Sequence, residues 1–225
     1  MTRIPNRTAI AVALLLAACG SRLDSGVAAA APEVNRPGID NPFQPLVPGT
    51  VWHYVGMLDG EPLLEIVEAL EPERFAGMPE CVPLEQRRFV AGDLFELTTE
   101  WFAADAVGDL WSFGEESWQV EEGVFVRSAD SWRAGDGVAP VRVLPARPAA
   151  GQLHELVLPH GREWRAVVAL DVAVDTPYAA FADCLEIHEN PDDPDEDILL
   201  YAPGTGLAAQ RAANGYKLLF DVERR

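Results

Sequence analysis

From Pro45 onward no run of twelve residues keeps a helical apolar period without a breaker, whereas short alternating runs bounded by Gly, Pro, Asn or Asp recur along the whole stretch. The strand-like runs fall at about 81–90, 94–104, 109–115, 123–127, 140–144, 153–158, 164–174, 182–188, 197–202, 206–212 and 216–223. Before them, Val51, His53 and Val55 alternate with Trp52, Tyr54 and Gly56. Asp59-Gly60 then gives a hairpin turn ahead of Leu63 to Ala69. The one helix-like stretch, residues 65–77, is cut by Pro72. The pattern predicts a mainly β fold: a single antiparallel meander curled into a barrel, a half-barrel or a two-layer sandwich, with few or no helices.

The start of the chain speaks to location rather than fold. Arg3 and Arg7 precede an apolar run from Ala9 to Ala18, the layout of an export signal and too short for a permanent span. Leu16-Ala17-Ala18-Cys19 resembles the lipobox, which implies cleavage before Cys19 and a diacylglycerol on its thiol. Gly20 stands where an inner-membrane retention signal would place Asp, which favours the outer membrane, facing the periplasm. The expected organisation is a lipoprotein signal peptide over residues 1–18, an acylated cysteine and tether over 19–44, and an antiparallel β domain over 45–225.

Loss of Arg3 and Arg7 with the signal takes the formal charge from −19 to −21, and Lys217 is the only lysine. Such a chain is a poor partner for nucleic acid or anionic headgroups; a cationic partner or a divalent ion is more consistent with it. A curved sheet of this size can also enclose an apolar hollow, and the six tryptophans could serve a filled core or such a hollow for a bound amphiphile. Cys81 and Cys184 are the one pair left for a disulfide in an oxidising compartment. Cys81 is in phase with Glu85 and Arg87, and Cys184 with Glu186 and His188, so both thiols are expected on a polar sheet face.

Residues 98–117 carry the candidate ligand site. A turn over Ala106 to Asp109 sets Asp105 opposite Leu110, Ala104 opposite Trp111, Phe102 opposite Phe113 and Glu100 opposite Glu115, with Trp101 across from Gly114. Like charges facing one another need relief. An arginine such as Arg87 or Arg88, a divalent ion such as calcium held with Asp105 or Asp109, and a shared proton are the open alternatives. Glu100, Glu115, Asp105 and Asp109 are therefore the candidate cation or ligand site.

The same stretch resembles a segment, D-aromatic-aromatic-x-x-D-x-x-G-N-V-W-Y-x-G-E, of a family of uncharacterised bacterial secreted and lipid-anchored proteins. That family also carries PL-x-PG-x-x-W-x-Y and YAPGVG stretches, matched here by Pro45-Leu46, Pro48-Gly49, Trp52 and Tyr54, and by residues 201–206. Asp109 and Ser112 depart from the pattern. The resemblance implies a β-rich envelope protein and transfers no catalytic residues.

Other signatures are weak. His154 and His160 lie six apart around a strand and Pro159, unlike a metal-protease helix; residues 190–197 lack the spacing of an EF-hand loop; and no nucleophile elbow or phosphate loop is present. The reading is a lipid-anchored, non-catalytic binding or structural module with no cofactor. Its alternative is a metal-assisted hydrolase built on Glu100, Glu115 and Asp105.

Overall fold

A computed structural model describes residues 39–74, 77–135 and 137–225, so the export signal, Cys19 and most of the tether lie outside the described residues. Seventeen strands and no helix occur among them: β1 (Ile39–Asp40), β2 (Pro45–Leu46), β3 (Thr50–Leu58), β4 (Glu61–Ala69), β5 (Glu73–Arg74), β6 (Glu80–Val90), β7 (Asp93–Ala104), β8 (Leu110–Glu121), β9 (Val124–Arg127), β10 (Trp132–Arg133), β11 (Val141–Leu144), β12 (Leu153–Leu158), β13 (Gly161–Asp175), β14 (Ala180–Glu189), β15 (Asp197–Ala202), β16 (Gly206–Ala212) and β17 (Gly215–Arg224). The fold is mainly β and antiparallel throughout, as the alternation predicts. It takes in residues 39–44 as well, because Ile39 and Asn41 are buried.

One large sheet runs β10-β8-β7-β6-β4-β3-β17-β16-β15-β14-β13-β12. Three short strands, β9, β10 and β11, line the outer edge of β8 at successive heights. The sheet curls until its ends approach one another. There Arg165 Nη1 on β13 donates to the Val143 carbonyl on β11 at 2.8 Å, yet no strand ladder closes the seam. The result is a curled sheet left open rather than a closed barrel.

Tight turns fix the register. Asp59 and Gly60 both take positive φ (51° and 84°), the conformation a two-residue hairpin turn demands, and β3 pairs with β4 directly across it. Alternation then sends Tyr54, Val67, Leu84, Phe102, Leu199 and Leu219 to the inner face, where they pack in the main core with Trp52 and Ile187. A smaller cluster of Val174, Cys184, Leu200, Ala202, Ala208 and Ala209 packs separately.

The end carrying the 105–109 and 203–205 turns is sealed by residues 39–46. Asn41 Nδ2 donates to the Gly108 carbonyl at 2.9 Å, while Asn41 Oδ1 accepts from the amides of Phe43 and Gln44. Gly204 N donates to the Pro42 carbonyl at 2.7 Å, Trp52 Nε1 donates to the Thr205 carbonyl at 2.7 Å, and Leu207 N donates to Gln44 Oε1 at 3.2 Å. The three stretches that carry the family resemblance thus meet at this plug. The opposite end, at the 59–60 and 213–214 turns, stays open.

The expected Cys81–Cys184 bridge is not formed. Both cysteines are free and fully buried, on β6 and β14, which five strands separate in the sheet. Nor do they sit on a polar face: Cys81 belongs to the main core and Cys184 to the smaller cluster. Burial first, then Glu73, pushes the Cys81 thiol up to about 12; burial, then Asp183, pushes Cys184 up to about 11. Both are inert apolar groups at neutral pH.

Candidate functional site

The inner face of the curled sheet is not uniformly apolar. β4 presents Leu63, Glu65 and Val67 in one phase, so Glu65 points inward, where it is wholly buried. It accepts from Lys217 Nζ on β17 and from Arg88 Nε on β6 at 2.9 Å. Arg88 Nη1 also donates to Glu96 Oε2 at 2.7 Å, and Glu96 Oε1 accepts from Ser117 Oγ at 3.1 Å. Burial pushes the Glu65 carboxyl up, but Lys217 and Arg88 together outweigh it and hold the group below its ordinary value. The charges form a compensated layer across the interior.

That layer divides the hollow into a mouth and an inner cavity. The mouth, about 1090 Å³, is lined by Met57, Leu58, Leu63, Phe95 and Tyr216, with Asp195 and Asp197 at its rim and Glu65, Arg88 and Lys217 as its floor. Below the floor lies an inner cavity of about 250 Å³, bounded by Tyr54, Phe102, Tyr201 and Leu207 and by a second charged pair, Arg165 with Glu189. The inner cavity shares Glu100, Val143 and Arg165 with a third chamber of about 340 Å³ at the seam. Pockets of the mouth's size and mixed lining are ordinary small-ligand sites.

The structure brings Glu100 and Glu115 together as cross-strand partners, as the hairpin reading expects, by a different route. Nearer the turn the register is one residue off that reading: Ala104 faces Leu110, Ala103 faces Trp111 and Phe102 faces Ser112. A bulge at Phe113-Gly114 restores the Glu100–Glu115 pairing. Gly114, expected across from Trp101, lies against β10. Its φ of 152° and a would-be Cβ only 2.8 Å from the Trp132 carbonyl oxygen show that β10 backbone occupies that side.

Asp105 and Asp109 do not join the two glutamates. Asp105 Oδ1 accepts from the amides of Val107 and Asp109, each at 3.0 Å, and its Oδ2 accepts from Trp111 Nε1 at 3.0 Å. Asp109 accepts from Ala146 N at 2.8 Å and from Arg142 Nη1 at 3.1 Å. Both carboxylates are committed to building the turn and pinning the chain before β12. Among the described residues no group of three or more His, Cys, Asp or Glu is arranged to hold a metal ion.

The arginines of the preceding strand are also elsewhere: Arg87 pairs with Glu68 and Glu85, and Arg88 with Glu65 and Glu96. Among the described residues neither Glu100 nor Glu115 makes an ion pair. Glu100 is pushed up to about 8, by burial and then by Glu115, with Ser112 and Arg165 opposing. Glu115 is pushed up to about 7, by burial and then by Glu96 and Glu163. Neither arginine of the preceding strand relieves the pair, and both carboxyls are shifted toward the protonated form.

The histidines are not brought to one centre. His160 Nε2 lies 3.5 Å from Glu163, while burial, then Arg142 and Arg165, push His154 down to about 4. His188, on β14, is held between Glu186 and Glu196 at 2.7 and 2.6 Å. Sequence reasoning missed Glu65, named Arg88 only as a possible partner for Glu100 and Glu115, and noted Lys217 only as the single lysine. The available signal was a charged residue at an otherwise apolar phase of β4 and the chain's single lysine on a strand that turns Leu219 inward.

Neither a protein-family model nor a curated protein matches the chain. Among solved structures it is similar to a "putative lipoprotein" from Parabacteroides distasonis, with 14% identity, coverage of 81% of this chain and 99% of that one, and a TM-score of 0.37, a distant likeness on which nothing further rests.

Proposed function

We propose that this chain is a lipid-anchored envelope protein, held through Cys19 and facing the periplasm, whose β domain binds a small amphiphile without catalysing a reaction. The observation that carries the reading is the mouth: an apolar wall of Met57, Leu63, Phe95 and Tyr216 above a rigid, already paired floor of Glu65, Arg88 and Lys217. An apolar body can replace water on the wall at about 25 cal/mol per Å² covered, while a polar head meets oriented donors and acceptors that need no rearrangement. The lipobox and the resemblance to secreted and lipid-anchored β-rich proteins support the location. Asp105, the third residue of the hydrolase alternative, is spent on its turn.

The binding test uses full-length protein in detergent-free nanodiscs and N-phenyl-1-naphthylamine, an uncharged fluorescent amphiphile. Saturable one-to-one enhancement is expected, and Phe95→Glu is expected to weaken it at least tenfold. No saturation, or identical binding by the variant, overturns the reading. Anchoring is tested separately: Cys19→Ser should release the exported protein from the membrane fraction and remove the diacylglycerol mass from its N-terminus.

A further inference from the structure

The floor of the mouth is balanced in charge yet not filled in hydrogen bonds. Each Glu65 oxygen already accepts, one from Lys217 Nζ and the other from Arg88 Nε. The cations are less fully used. An ammonium carries three protons, and among the described residues the buried Lys217 Nζ donates to Glu65 alone, with the Tyr54 ring centroid 5.1 Å from it. Arg88 spends Nε on Glu65 and Nη1 on Glu96, and its Nη2 has no acceptor among the described residues. Buried donors are normally satisfied, and the surplus here belongs to two residues that line the mouth.

A free acceptor stands beside these donors. Gln210 is the cross-strand partner of Lys217, on the same face, and it also lines the mouth. Its Nε2 donates to Asp197 Oδ2 at 2.8 Å, which fixes the amide orientation, because only the nitrogen end can face a carboxylate. Gln210 Oε1 is left without a donor among the described residues.

Charge narrows the choice of head group. The lining of the mouth holds Asp59, Glu65, Asp195 and Asp197 against the two cations Arg88 and Lys217. A carboxylate or phosphate head would add negative charge to a lining already short of cations and would compete with Glu65 for both of them. An ammonium head on the floor would meet donors, since both Glu65 oxygens are taken. An uncharged acceptor incurs neither cost.

We propose that the amphiphile held in the mouth carries an uncharged carbonyl head, an amide above all, whose oxygen accepts from Lys217 Nζ and Arg88 and whose N–H donates to Gln210 Oε1. The proposal rests on the reading of the mouth as an amphiphile site and names the chemistry of the head. Met57, Leu63 and Phe95 take the chain. An ester reproduces the carbonyl contact but leaves Gln210 Oε1 empty, so it ranks below the amide.

The test is titration calorimetry at pH 7 of the full-length protein in nanodiscs, with empty nanodiscs as the blank, using octanamide, methyl octanoate, octanoate and n-octylammonium. Octanamide is expected to bind one-to-one, at least tenfold tighter than octanoate and octylammonium and a few-fold tighter than the ester. Gln210→Leu should erase the advantage of amide over ester. Glu65→Leu with Lys217→Met, checked for folding by a thermal melt, should lower the affinity for octanamide at least tenfold relative to that for N-phenyl-1-naphthylamine, which has no carbonyl; if that variant does not fold, Gln210→Leu still decides. Octanoate or octylammonium binding as tightly as octanamide, or an amide preference that survives Gln210→Leu, overturns the proposal. Saturable N-phenyl-1-naphthylamine binding with no preference among the four heads overturns it while the mouth reading stands, whereas no saturation by either that probe or octanamide overturns the mouth reading itself and this proposal with it.

Discussion

Glu115→Gln is the most informative single perturbation, because the structure fixes both its sign and its pH window. A carboxyl whose folded value is raised stabilises the fold fully below the unfolded value, and that stability is lost as pH rises through the folded value. Glu115 is raised from 4.5 to about 7 and Glu100 from 4.5 to about 8, so the wild type should lose stability progressively between pH 4.5 and 8. Lifting one carboxyl as far as Glu115 corresponds to roughly 3 kcal/mol at high pH, and partial solvent access reduces this to roughly 2–3 kcal/mol. Glutamine keeps the shape and removes the titration; it also relieves Glu100, whose second largest perturbation is Glu115. At pH 8 the variant should melt roughly 5–10 °C above wild type for a domain of this size, and at pH 4, below the unfolded value of 4.5, the two should coincide. Differential scanning calorimetry at the two pH values decides it. A variant less stable than wild type at pH 8 would show that an unrecognised cation holds Glu115 as a carboxylate, and an equal difference at both values would refute the titration argument.

Three further outcomes follow from other contacts. Glu65→Gln strands the Lys217 ammonium, which is 7% exposed, and should cost roughly 3–5 kcal/mol by urea denaturation, whereas Glu65→Leu with Lys217→Met should cost clearly less. Gly114→Ala places a Cβ 2.8 Å from the Trp132 carbonyl and should detach β10 or cost roughly 1–3 kcal/mol, read as a lowered urea midpoint and faster amide exchange at Arg133. Asp105→Ala removes three accepted hydrogen bonds from the 105–109 turn and should cost roughly 2–3 kcal/mol, again by urea midpoint, with no dependence on added calcium.

The fold was legible because its information is local. Alternation and turn residues placed β12, β15 and β16 at their observed ends, since the two-residue period and a following Gly or Pro act within one hairpin. The extra length of β8 was not legible: Glu116 to Glu121 is too polar to signal a strand, and only pairing with β7 and β9 makes it one. Bulges escape for a related reason. Gly114 signalled a close approach, but whether a ring or a backbone approaches depends on β10, eighteen residues on. Residues 39–44 read as tether because they continue a stretch of Ala, Pro, Gly and Ser without apolar periodicity; their burial depends on the sheet leaving one end for Asn41 to seal.

Charge placement was half legible. The hairpin identified Glu100 and Glu115 as partners, and the error lay in seeking an arginine on the adjacent strand. Arg88 shares the inward phase with Gln86 and Leu84, and its cross-strand partner on β4 is Glu65, which is wholly buried. A fully buried carboxylate has the stronger demand, because an uncompensated charge there costs several kcal/mol, whereas Glu100 and Glu115 can shed theirs to a proton. Two cations at Glu65 and none at Glu100 is therefore the cheaper distribution. It leaves Glu65 to its two cations and shifts Glu100 and Glu115 toward their protonated forms.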